Sequence, residues 1–150
     1  MAGLQGQVAL VTGASRGIGA AIARVLAERG ATVIGTATTA EGAGRIGAAL
    51  AAYPGCQGVA LDVNDAPAAE ALVDGIVKER GGLHILVNNA GITRDMLAMR
   101  LKDADWDAVL AVNLKGTFLL TKHACRIMMR QRSGRIVNLA SVSGVMGNAG

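Results

Sequence analysis

Between Thr12 and Gly19 the chain reads TGASRGIG, with glycines at positions 13, 17 and 19. A short β-branched run, Val8 to Val11, precedes this stretch, and Ile18, Ala21, Ile22, Val25 and Leu26 follow at helical spacing. Three glycines at a strand-to-helix junction suit a phosphate cradle. Gly13 permits a tight turn, Gly17 lets backbone approach a pyrophosphate, and Gly19 allows the helix to pack closely on the strand. The helix N-terminus then offers free N–H groups to the phosphates. Dinucleotide binding is the chemistry that this spacing implies; a turn and nothing more is the plainer alternative.

The end of the second apolar run separates the two common dinucleotides. NAD sites place a carboxylate there to grip the ribose 2′-OH. Here Gly35-Thr36-Ala37-Thr38-Thr39 offers none before Glu41. Arg16, inside the glycine turn, can meet a 2′-phosphate instead, with the Thr38 hydroxyl assisting. NADP is therefore the expected cofactor, against the plain reading of Arg16 as a solvated surface arginine. Ser141 adds a hydroxyl beyond the last apolar run, where open α/β sheets place their ligands.

Such residues need a scaffold that brings turn ends together. The sequence alternates strands with helices: Val8 to Val11, then a helix closed by Gly30; Thr32 to Thr36, then a helix over about Ala43 to Ala52, stopped by Pro54 and Gly55. Gly58 to Leu61 is a third strand, and Pro67 sits in the first turn of a helix reaching Arg80. Leu83 to Val87 is a fourth strand, a long helix covers about Ala104 to Gln131, and Ile136 to Ala140 is a fifth strand. Continuous apolar strands mean that both sheet faces are covered, and the alternation means parallel pairing. The expected fold is α/β, a doubly wound Rossmann-type parallel sheet with helices on both faces. The long helix carries consecutive apolar triplets, Phe118-Leu119-Leu120 and Ile127-Met128-Met129. Each step turns about 100°, so more than one face is greasy. One face is expected on the sheet and another on a partner subunit; burial within its own domain is the alternative.

Composition narrows the rest. The 150 residues predict one domain, half of them apolar, with 21 glycines and three aromatics, Tyr53, Trp106 and Phe118. No apolar run approaches a membrane span, and Met1 to Gln7 does not resemble a signal peptide, so a soluble, cytoplasmic chain is expected. Cys56 and Cys125 stand far apart and form no CxxC, which points to neither a disulfide frame nor a metal site. A net charge of +4 without a dense Lys/Arg run, and so few aromatics for base stacking, argues against nucleic acid.

Together TGASRGIG, Asp62-Val63, NNAG at Asn88 to Gly91, Asn113 and Ser141 resemble the classical short-chain dehydrogenase/reductases over essentially the whole chain. Two stretches, NNAGITRDMLAMRLKDADWDAVLAVNLKGTF and RSGRIVNLASVSGVMGNAG, are similar to members that reduce 3-oxoacyl groups on acyl carrier protein in fatty-acid synthesis. The resemblance implies that Gly13, Ser15, Arg16, Gly17, Ile18 and Gly19 hold the phosphates and ribose. It implies that Asp62 and Val63 line the adenine pocket, and that Asn89, Ala90 and Gly91 border the nicotinamide ribose, with Asn88 and Asn89 also tying strands together. Asn113, a poor helix former in mid-helix, would shape the helix so that a backbone carbonyl holds a proton-relay water. Ser141 would hydrogen-bond the substrate carbonyl. Arg132, in a basic group with Arg126, Arg130 and Arg135, would dock an acidic acyl carrier protein, although a solvated face explains such a cluster equally. A homotetramer is implied as well. Acetoacetyl-CoA or another carbonyl substrate, and an inactive nucleotide-binding or oligomerisation module, are the competing functions.

Two departures from the family pattern stand out. His84 occupies a position where the family commonly has Asp. The family's proton donor is a tyrosine about a dozen residues past the serine, with a lysine four residues beyond it; Tyr53, the only tyrosine here, has no such lysine. Residues 1–150 are thus expected to form an NADP-binding domain that is incomplete at the C-terminus. Alone they are expected to be inactive and to associate through the long helix.

Overall fold

The computed structural model describes residues 3–147. Five strands form one parallel sheet: β1 (Val8–Val11), β2 (Thr32–Ala37), β3 (Gln57–Ala60), β4 (Ile85–Asn88) and β5 (Arg135–Asn138). Their order across the sheet is β3-β2-β1-β4-β5. Leu10 is the hub: it stands opposite Ile34 in β2 and Leu86 in β4. The helices between strands are α1 (Gly17–Glu28), α2 (Ala40–Ala49) and α3 (Ala66–Arg80), followed by α4 (Asp103–Leu110) and α5 (Thr117–Gln131).

Alternation along each strand feeds two cores. Val8, Leu10, Ile34 and Leu86 pack with α3 and α5, through Val73, Ile76, Leu120 and Ile127. Their neighbours Ala9, Val11, Val33 and Val87 pack on the other face against α1 and α2, through Ala23, Ala27, Ile46 and Leu50. The first core is built of large aliphatics, each worth about 1.5–3 kcal/mol on full burial. The second is rich in alanine, which brings α1 close to β1 just behind the glycine turn. The doubly wound arrangement is as the alternation required.

The element limits differ where caps or tertiary contacts decide them. Helix α2 begins at Ala40, three residues before the expected start, because the Thr39 hydroxyl accepts a hydrogen bond from the Gly42 N–H at 3.0 Å. It ends at Ala49 with Leu50 as its C-cap, so Pro54 and Gly55 are not what stops it. Strand β4 starts at Ile85 and runs to Asn88, and β5 ends at Asn138, although the Leu139 N–H still donates to the Asn88 carbonyl at 3.0 Å. A single turn, α6 (Ser143–Met146), follows, where the sequence pattern predicted no helix. The expected long helix is continuous from Asp103 to Gln131, and a wider, π-helical turn, Ala111–Gly116, joins α4 to α5 within it. Among the described residues no helix is long and apolar enough to cross a membrane.

Candidate functional site

Strand β1 has β2 on one side and β4 on the other, so the chain leaves β1 and returns to β4 in opposite directions. A crevice opens at the C-terminal ends of the strands at such a switch point. The glycine turn, which follows β1, and Asn89–Gly91, which follow β4, face each other across it. Thr12 locks them together. It is 1% exposed, and its hydroxyl oxygen accepts hydrogen bonds from the Asn89 and Ala90 N–H groups, both at 2.9 Å. In return the Asn89 side-chain amide donates to the carbonyls of Thr12 (2.9 Å) and Gly13 (3.1 Å). Sequence reasoning missed Thr12, although a polar residue closing an apolar strand was the available signal.

The glycines differ in what surrounds them. A Cβ on Gly19 would collide with the Gly13 carbonyl and the Asn89 amide, so Gly19 is what seats α1 on the turn. Gly17 has φ +56° and nothing within 4 Å of where its Cβ would stand. The space above it is open and its backbone is bare. The start of α1 is bare too: no side chain caps it and its first turn holds no acidic residue, whereas Thr39 and Asp65 cap α2 and α3. Helix N–H groups without a side-chain cap, beside an open glycine, fit a pyrophosphate in donor type and in room.

The crevice is an open cleft of about 400 Å³. Gly13, Ser15, Arg16, Gly17, Ile18 and Gly19 form one wall, and Thr38, with Thr36 and Ala37, continues it from the end of β2. Asp62 and Val63 line it beyond β3, and Asn89, Ala90 and Gly91 beyond β4. All twelve residues expected to hold the nucleotide therefore meet in one cleft. Asp62 Oδ1 accepts from the Asn64 N–H at 2.9 Å, which turns the chain after β3 and fixes that carboxylate. Leu61, Ile92 and Val112 also line the cleft and had no local sequence signal.

The widened turn between α4 and α5 explains Asn113. Both ends of its side chain engage one residue: the Ile92 N–H donates to Oδ1 at 2.8 Å, and Nδ2 donates to the Ile92 carbonyl at 2.9 Å. The Asn113 carbonyl accepts from the Thr117 hydroxyl at 3.1 Å. A Cβ on Gly116 would meet Val63 at 2.6 Å, so the same turn also presses on the loop after β3. An extra residue in a helical turn re-aims side chains; here it sends Asn113 to the chain after β4.

Other sequence-predicted residues lie apart from the cleft. Ser141 is on the same sheet edge, three residues beyond β5 and exposed; its Oγ accepts from the Ser143 N–H at 3.2 Å. Arg132 sits at the opposite edge, where α5 ends: Gln131 brackets the backbone of Leu83, ahead of β4, at 2.9 and 2.8 Å. Arg132 itself closes α5 in a left-handed conformation, φ 53°. Of its basic neighbours, Arg126 is engaged by Glu70 and Asp74 of α3. Tyr53 packs with the alanine-rich core, its hydroxyl 3.5 Å from Glu28, and does not line the cleft. His84 acts locally, at the far end of the strands. Its Nδ1 accepts from the Val8 N–H at 3.0 Å and so joins the starts of β1 and β4.

The face of α4 and α5 turned from the sheet is apolar. Trp106, Leu110, Leu114 and Phe118, spaced four apart, are all exposed, whereas Leu120, Ala124 and Ile127 are buried. The helix is therefore greasy on two sides, and one of them is not covered by the described residues.

A family model described as short chain dehydrogenase matches residues 7–150. The 3-oxoacyl-[acyl-carrier-protein] reductase FabG of Vibrio harveyi is 54% identical over 149 residues, 98% of this chain and 59% of the relative. The protein of the same name from Escherichia coli K12 is 51% identical over 146 residues, covering 97% and 59%. That of Pseudomonas aeruginosa is 51% identical over 149 residues, covering 98% and 60%. The chain spans about three fifths of the length of these curated relatives.

Proposed function

The chain belongs to the short chain dehydrogenase family, and from this we propose that it serves the NADPH-dependent reduction of 3-oxoacyl thioesters on acyl carrier protein. One observation carries the reading: the twelve residues expected to hold a dinucleotide line one cleft at the switch point of the sheet. The names of the similar proteins supply the substrate class.

In this reading Gly13, Gly17 and Gly19 shape the backbone around the pyrophosphate, while the bare N-terminus of α1 donates to it. Arg16 and Thr38 receive the 2′-phosphate, and Asp62 and Val63 receive the adenine. Asn89, Ala90 and Gly91 border the nicotinamide ribose, held there by Thr12. Bound in this cleft, the nicotinamide would supply the hydride for carbonyl reduction. Ser141 would orient the substrate carbonyl from the loop after β5, and Asn113 would hold Ile92 at the back of the site. The alkoxide also needs a proton, and its donor is proposed to lie in the part of the relatives' length that this chain does not span. Arg132 would meet an acidic carrier at the strand-start edge, the length of β4 away from the cleft. The apolar face from Trp106 to Phe118 would be covered by a second copy, in a homo-oligomer.

Cofactor titration tests the reading. NADPH is expected to bind more tightly than NADH, and Arg16→Ala is expected to weaken NADPH while leaving NADH nearly unchanged. Equal losses for both would show that Arg16 does not meet a 2′-phosphate. In the full-length protein, NADPH oxidation with carrier-bound and CoA-bound 3-oxoacyl thioesters decides between the two substrate forms.

A further inference from the structure

Helix α2 begins against the glycine turn. A Cβ on Gly42 would lie 2.7 Å from the Ala37 Cβ and 3.7 Å from the Ser15 Cβ, so the first turn of α2 is seated beside the phosphate cradle. Thr38 lines the cleft and Thr39 caps the helix, which places that first turn directly after the part of the cleft wall that β2 supplies. The same turn carries Glu41, the first carboxylate after β2. A carboxylate in this region is what an NAD site uses to hold a 2′-OH, and it would repel a 2′-phosphate. Glu41 is not left alone: its Oε1 lies 2.8 Å from Nη1 of Arg45, one turn further along.

We propose that the Glu41–Arg45 pair is a charge gate on cofactor choice, in which Arg45 neutralises the first carboxylate after β2, which would otherwise oppose a 2′-phosphate. The inference rests on the NADP reading above and deepens it. The two side chains are 82% and 58% exposed, and a pair so open to water contributes little to stability. Its influence falls instead on a doubly charged group arriving beside it. Gly42 is the steric half of the device, because a Cβ there would stand 2.7 Å from the Ala37 Cβ and push the turn off the end of β2.

Isothermal titration with adenosine 2′,5′-bisphosphate and adenosine 5′-monophosphate tests the gate without catalysis, since the two probes differ only in the 2′-phosphate. The chain is expected to prefer the bisphosphate. Arg45→Gln should weaken the bisphosphate roughly two- to fivefold at low ionic strength, with the effect shrinking in salt, and leave the monophosphate unchanged. Glu41→Gln should not weaken it, and Glu41→Gln with Arg45→Gln should regain the parent affinity. A loss that persists in the double variant would mean that Arg45 touches the phosphate itself, which overturns the gate. A loss shared equally by both probes, or none at all, would reduce the pair to helix support and also overturns it. A parent chain that binds both probes alike would instead sink the NADP reading, and the gate with it.

Discussion

Replacing Thr12 with Val keeps the shape of the side chain and removes its oxygen. That oxygen is the acceptor for the Asn89 and Ala90 N–H groups, each at 2.9 Å, and the hydroxyl lies 3.4 Å from the Val87 carbonyl. A buried backbone donor left without an acceptor costs about 1–3 kcal/mol. Asn89 and Ala90 are only half-buried, so water recovers part of this, and the two together should cost about 2–3 kcal/mol. Thr12→Ser keeps the oxygen and loses one methyl at a site 1% exposed, a cost of about 1 kcal/mol. Urea unfolding of the two variants should therefore separate them by about 1 kcal/mol or more, with Val the less stable. The nucleotide should report the same order. The chain after β4 borders the cleft opposite the glycine turn, so Thr12→Val should lose most NADPH affinity by calorimetry while Thr12→Ser retains it. Equal stability and equal affinity for the two variants would refute the claim that this hydroxyl ties the cleft together.

The other glycines of the turn should fail in different ways. Gly19→Ala drives a Cβ into the Gly13 carbonyl and the Asn89 amide, so thermal unfolding of the nucleotide-free protein should show a loss of about 1–3 kcal/mol or more. Gly17→Ala meets no atom and costs only about 1–2 kcal/mol for its left-handed backbone, yet should abolish stabilisation by added dinucleotide if the backbone at Gly17 is where the pyrophosphate rests. Leu114→Glu with Phe118→Glu alters two exposed residues, 64% and 60%, and should lower the mass seen in sedimentation; an unchanged mass rules out this face as the contact between copies. Arg132→Gly should raise stability by up to about 1 kcal/mol, because glycine suits the left-handed cap that arginine now strains to fill. On the proposed function, the same change in a protein of the relatives' whole length should raise the KM for carrier-bound substrate but not for a small thioester, and a parallel rise for both would remove Arg132 from carrier docking.

Local sequence decided whatever depends on a few consecutive residues. Val8–Val11 is a strand because its residues are apolar and half of them β-branched, and TGASRGIG is a turn into a helix because glycine stands at the three positions such a turn needs bare. The missing carboxylate after β2 was equally plain, since it is a matter of residue type at a strand end. Helix α3 was legible from Pro67 in its first turn to Arg80 at its end; the Asp65 cap and the left-handed Gly81, φ 81°, are the structure's account of those limits.

Tertiary structure decided what joins distant parts of the chain. Thr12 and Asn89 are 77 residues apart, and no local pattern announces that one hydroxyl will hold two amides of another loop. Nothing in AVNLKG resists an ordinary helical turn strongly enough to predict a wider one. The bulge follows from contacts elsewhere: Asn113 must reach both backbone groups of Ile92, and Gly116 must lie on Val63. His84 shows the same limit, for its Val8 partner exists only once β4 lies beside β1. The placement of Arg132 at the far edge of the sheet likewise comes from the direction of α5, which carries the chain back to the start of β5. Strand order sits on the same side of the line. The sequence by itself determined that there are parallel strands with covered faces and a phosphate turn after the first. That β4 returns to the free side of β1, opening the cleft there, was decided by which apolar faces could be buried together, and that is a property of the whole chain.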